Sequence, residues 1–133
     1  MIEQKISKLN SYFDREISSC KQRSETLLAD DRADEAAHEK IKANVYDIFR
    51  TILSVAAKTG KGDSESVKRF FLLKVQQIPS NWEASYEQAK LHDDTVKMQI
   101  ERVKLDTIDK IKEMFTVIWD ASPAQNDSEW RKQ

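Results

Sequence analysis

Residues 80–121 contain neither glycine nor proline, and Pro79 and Pro123 bracket them. A run of that length without a breaker constrains the chain to long helix. As one rod it would extend about 63 Å at 1.5 Å per residue. Ser80-Asn81-Trp82-Glu83 at its start has the pattern of a capping box, in which Ser80 and Glu83 satisfy each other's backbone amides. Apolar residues then recur at heptad-like spacing through Trp82, Tyr86, Ala89, Val96, Ile100, Val103, Ile111, Met114 and Ile118. The stripe is interrupted at Leu91-His92-Asp93-Asp94-Thr95. A continuous or gently bent helix is the first reading, and a break capped by Asp93 or Asp94 is the alternative.

The rest of the 133-residue chain is equally poor in breakers. It has two glycines and two prolines in all, which points away from strands and loops and towards long helices. Residues 2–28 place Ile2, Ile6, Leu9, Phe13, Ile17, Cys20 and Leu27 on one narrow stripe, so this helix should cover the edge of a core. Asp30-Asp31-Arg32 makes a polar turn. A second helix over 33–58 carries two adjacent stripes: Ile41, Val45, Ile48, Ile52 and Val55, and beside them Tyr46, Phe49, Leu53 and Ala57. So wide an apolar arc predicts a central element covered on more than one side.

Thr59-Gly60-Lys61-Gly62-Asp63 holds both glycines. Gly60 is expected to end the second helix in a left-handed conformation, with Asp63 or Ser64 capping a third helix over 65–77. Pro79 should stop that helix, because the residue before a proline is disfavoured in the helical region. A hairpin through Pro79-Ser80 would then lay Phe70, Phe71 and Val75 against Trp82, Tyr86 and Ala89. The predicted fold is all-α, a mostly antiparallel up-down bundle of four or five helices with a long C-terminal one. Residues 1–121 form its single domain and 122–133 a polar tail, where Trp130 is the one residue able to dock on something apolar.

Composition narrows the functional classes. The 22 basic and 23 acidic residues nearly cancel, without the basic excess that phosphate-backbone binding requires. The single cysteine cannot form an internal disulfide and suits a reducing cytoplasm. No apolar run is long enough to span a bilayer. The expected partners are a second copy of the chain or another protein, with no nucleic acid, no membrane and no cofactor.

Two histidines limit any catalytic site. Glu35 and His38 share a helical face at the spacing of di-iron bundles, but no second such pair exists. Cys20 has no histidine near it in sequence, so it reads as a small buried apolar residue. Ala89-Lys90-Leu91-His92-Asp93 resembles the signature of the HD phosphohydrolases, helical metal enzymes named for their adjacent His-Asp. The resemblance implies a metal held by His92 and Asp93, with His38 upstream and Asp106 or Asp109 downstream. The same pentapeptide also reads as a helix interruption with His92 on the surface.

Ala84, Leu91, Met98 and Leu105 fall at strict seven-residue steps, roughly opposite Ile100, Val103 and Met114 at 100° per residue. One neighbour cannot bury both sides of a helix. This back stripe therefore meets another helix of the chain or a second subunit. It is the first candidate interface, and the aromatic set Phe70, Phe71, Trp82 and Tyr86 is the second. The leading functional expectation is a non-catalytic, self-associating interaction module. A small metal-dependent phosphohydrolase centred on His92-Asp93 is the alternative.

Overall fold

A computed structural model describes residues 2–121. The protein forms five helices: α1 (Ile2–Ala29), α2 (Ala33–Gly60), α3 (Ser64–Gln77), α4 (Ser80–Leu91) and α5 (Thr95–Asp120). No strand occurs among the described residues.

The α3–α4 junction departs most from expectation. Ile78 stays helical at φ −61°, ψ −44°, and Pro79 follows at φ −74°, ψ −6°. Ile78 still donates its N–H to the Lys74 carbonyl, and Glu83 donates to the Pro79 carbonyl. Proline cannot supply the next ladder bond and its ring crowds the carbonyl four residues back, that of Val75, so α3 ends at Gln77 as expected, but α4 starts at Ser80 after only two residues and the chain bends instead of reversing. α3 and α4 are therefore two halves of one bent rod about as long as α1, α2 and α5. The capping box does not form. With the backbone already helical at Pro79, Ser80 lies inside the helix and its hydroxyl donates to the Gln77 carbonyl at 2.5 Å.

The hairpin expected between α3 and α4 is absent for the same reason. α3 packs on α2 and α5, while α4 packs on α5. Directions follow from side-chain pairs. Asp14–Arg50 and Arg23–Glu39 set α1 antiparallel to α2. The Lys5 ammonium donates to the Trp119 carbonyl, setting α1 antiparallel to α5. α2 and α5 thus run parallel and form the middle of the bundle. α1 lies on one flank and the bent α3–α4 rod on the other.

α1 buries Leu9, Phe13, Ile17 and Cys20, as its stripe predicts. α2 buries Val45, Tyr46, Phe49, Leu53 and Ala56, but Ile48 and Val55 face outward. Its first stripe is therefore only partly covered, although three helices pack against it. An aromatic column ties the layers together. The Phe49 ring meets Phe71 edge-on at 5.9 Å, Phe71 stacks on Phe115 at 4.3 Å, and Phe115 stacks on Trp119 at 5.1 Å. Such ring pairs contribute about 0.5–1.5 kcal/mol each beyond the area they bury.

The turns use unexpected residues. Asp31 at φ 61° and Asp93 at φ 53° each occupy the left-handed position after a helix. In both turns the following N–H reaches back five residues, Arg32 to the Leu27 carbonyl and Asp94 to that of Ala89. This is the Schellman arrangement, usually built with glycine. Between α2 and α3 the left-handed residues are Lys61 (φ 49°) and Gly62 (φ 84°). Gly60 is the last residue of α2 and has a different task. A Cβ there would lie 2.5 Å from the Val67 methyl Cγ2 and 3.2 Å from the Val67 backbone nitrogen, so its lack of a side chain lets α3 close on α2.

Gly60→Ala should therefore cost about 1–3 kcal/mol through overpacking, read as a lower urea midpoint with unchanged slope. In a double-mutant cycle with Val67→Ala the two losses should fall short of additivity. Full additivity would contradict the close approach.

Candidate functional site

α4 and α5 form an antiparallel hairpin joined by His92-Asp93-Asp94. Asp94 caps α5, its carboxylate accepting the Lys97 N–H at 3.1 Å. The chain thus breaks where the alternative sequence reading placed the break, and the back stripe is divided: Ala84 and Leu91 lie on α4, Met98 and Leu105 on α5. It is no longer a seam along one helix. Leu91 and Val96 flank the turn and are 74% and 66% exposed, the two highest values among the large apolar residues described. Ala84 is also exposed, while Met98 and Leu105 are half-buried.

Two grooves border this hairpin. The first, about 350 Å³, lies where α4 and α5 meet the start of α2 and is lined by His38, Tyr86, Met98, Gln99, Arg102 and Val103. The second, about 540 Å³, lies where the bent rod opens beside α5. Leu72, Val75, Pro79, Leu105 and Ile108 give it an apolar floor, and Gln76, Glu83, Asp109 and Lys112 a polar rim. The proline kink creates this space by turning α4 away from the line of α3.

The aromatic set does not form one surface. Phe71 is fully buried within the ring column and is part of the core. Phe70, Trp82 and Tyr86 are half-buried, each beneath a cation: Lys74 lies 5.5 Å from the Phe70 centroid, Lys104 5.7 Å from Trp82 and Arg102 5.7 Å from Tyr86. Lys104 also donates to the buried Glu101 carboxylate at 3.2 Å. The other Glu101 oxygen has no hydrogen-bond partner.

His38, His92 and Asp93 do not converge. His38 lies on α2, whereas His92 and Asp93 are exposed in the α4–α5 turn. Among the described residues no group of three or more His, Cys, Asp and Glu side chains is placed to hold a metal ion. The HD-like pentapeptide is thus a helix terminus, with Asp93 in the left-handed position and Asp94 capping the next helix.

Cys20 is buried, and burial, then the nearby Glu39 carboxylate, raises its thiol pKa. A thiol held protonated is a poor nucleophile. Glu39 itself joins α1 to α2. Arg23 donates its Nε–H to one carboxylate oxygen at 2.5 Å, and Lys42 lies 3.0 Å from the other. Burial opposes ionisation of Glu39, but the Arg23 hydrogen bond and the charges of Lys42 and Arg23 outweigh it and lower its pKa. Nothing in composition marked this network, because Arg23 and Glu39 meet only after α1 and α2 pair.

No helix among the described residues is long and apolar enough to cross a membrane. No protein-family model, curated protein or solved structure gives a significant match to the chain.

The lowered pKa of Glu39 fixes the sign of its pH dependence. Its stabilising contribution is present above the unfolded carboxylate pKa of about 4.3 and is lost as pH falls through the lower folded value. Glu39→Gln should cost about 1–3 kcal/mol at pH 7, with the difference from the parent protein shrinking in urea titrations below about pH 4. A pH-independent difference would exclude the charge as its source.

Proposed function

We propose that this protein is a non-catalytic interaction module that associates with a second copy of itself through the α4–α5 turn. One observation carries the reading: Leu91 and Val96, flanking that turn, expose more of their side chains than any other large apolar residue described. Elsewhere α5 buries Ile108, Ile111 and Phe115 thoroughly, and its other exposed large apolar residue, Val117, stands alone near the opposite end. The first groove, with Tyr86, Met98 and Val103 in its wall, extends the apolar surface beyond the turn.

Charge around the turn suits a two-fold arrangement. Lys90 and Lys97 bracket Asp93 and Asp94, so a rotated copy can set its lysines against these aspartates. In an isologous contact Leu91 meets the partner's Val96 and the reverse pair forms by symmetry. Burying one leucine or valine on association contributes about 1.5–3 kcal/mol, equivalent to roughly tenfold or more in affinity.

Sedimentation equilibrium on the parent protein and on the Leu91→Lys, Val96→Lys double variant tests this. The parent is expected to form dimers, and the variant's dissociation constant should rise by about tenfold or more with the helical circular-dichroism signal unchanged. A monomeric parent, or a variant that associates as well as the parent, would overturn the reading.

A further inference from the structure

The groove beside the proline kink carries a charge pattern that the self-association surface does not use. We propose that it binds a small organic cation, a primary ammonium joined to an aromatic body, at a site independent of the α4–α5 turn.

Shape limits what can enter. The α5 wall runs from Leu105 to Lys112, about 10 Å at 1.5 Å per residue. An extended peptide advances about 3.3 Å per residue, so only about three of its residues would lie within that length. The volume of about 540 Å³ is instead that of a small-molecule site. Val75, Pro79 and Ile108 are buried and fixed by the core, while Leu72 and Leu105 are half-buried at the sides. A floor held in this way presents an apolar surface on which a flat ring can lie.

Charge selects the sign of the ligand. Lys68 pairs with Asp120 at 2.8 Å, and the Trp119 indole donates to the Ser64 carbonyl at 3.3 Å. These contacts set the start of α3 beside the end of α5, so the bent rod runs antiparallel to α5. Glu83 therefore stands at the Leu105 end of the groove, Asp109 between, and Lys112 at the Leu72 end. Among the described residues neither Glu83 nor Asp109 forms an ion pair. An anion entering here would meet two carboxylates for one lysine, and a cation is favoured towards the Glu83 end.

The kink adds a third acceptor. Proline lacks an N–H, so the Val75 carbonyl has no ladder donor. Helix carbonyls point towards the C-terminus, here towards Pro79, and both Val75 and Pro79 line the groove. A primary ammonium carries three donors, and the Glu83 carboxylate, the Asp109 carboxylate and this carbonyl are three acceptors at one apolar floor. Lys112 fixes the orientation, since it repels the ammonium and leaves the ring over Leu72 and Ile108.

Tryptamine titrated into the full-length ¹⁵N-labelled protein tests the site, with tryptophol, its uncharged hydroxyl counterpart, as the comparison. Saturable shifts are expected at the Leu72, Gln76, Leu105 and Asp109 amides, with tryptophol bound at least about threefold more weakly, as the loss of exposed charge pairs predicts. The Glu83→Gln, Asp109→Asn double variant changes only the exposed rim, so its fold should be retained. It should weaken tryptamine by a similar factor and leave tryptophol unaffected. The Leu91→Lys, Val96→Lys variant should bind tryptamine as the parent does, which separates this site from self-association. Absence of saturable shifts at the groove, equal affinity for the two compounds, or a Glu83→Gln, Asp109→Asn variant that binds tryptamine as well as the parent would overturn the proposal. So would loss of tryptamine binding in the Leu91→Lys, Val96→Lys variant.

Discussion

The column of rings from Phe49 through Phe71 and Phe115 to Trp119 is the interaction on which the other parts of this bundle depend. It takes one ring from α2, one from α3 and two from α5, so it fixes the relative height of three helices at once. Trp119 anchors its foot, stacking on Phe115 while its indole N–H reaches the start of α3. With α3 held against α2 and α5, the proline kink determines where α4 goes. α4 lies along α5 instead of continuing up the flank of α2, and that bend opens the groove beneath Pro79. The close approach of α3 to α2 at Gly60 belongs to the same constraint, since a side chain there would push Val67 outward.

The helical class, the stripe of α1 and the buried character of Cys20 were legible in the chain because each depends on local periodicity alone. The break at Asp93 was legible only as an alternative. The acidic pair that caps a helix can also sit on the surface of an unbroken one, and the decision rests on the bond from Asp94 back to Ala89. The end of α3 at Gln77 was legible from Pro79, but the hairpin beyond it was not, because a proline disfavours the helical region for its predecessor without forbidding it. Packing of Val75 and Ile78 against the core outweighs that preference. Gly60 was misassigned for a related reason: a glycine at a helix end satisfies both a backbone requirement and a steric one, and only its distance to Val67 separates them. Phe70 and Phe71 are adjacent and equally apolar, yet one lies in the ring column and the other beneath Lys74. Periodicity alone could not choose between them, since the choice depends on where α5 lies.

The candidate interface was legible in composition but not in shape. Ala84, Leu91, Met98 and Leu105 are spaced as a seam along one helix, and the turn at Asp93 folds that seam in two. What survives is the exposure of Leu91, joined by Val96, which the heptad pattern had assigned to the inner stripe. Both lie at the end of the hairpin, where the start of α2 borders Val96 but leaves most of it exposed. Of the buried carboxylates, Glu39 joins α2 to α1 through Arg23, whereas its pair with Lys42 and the Glu101–Lys104 pair lie within single helices.

Amide hydrogen exchange followed as a function of protein concentration reports association through the α4–α5 turn and its location together. Self-association through the turn predicts that protection rises with concentration and that the rise is confined to residues near the α4–α5 turn, about 88 to 100, within which Leu91 and Val96 lie. Exchange independent of concentration, or added protection on the outer face of α1 or α2 instead, would contradict it.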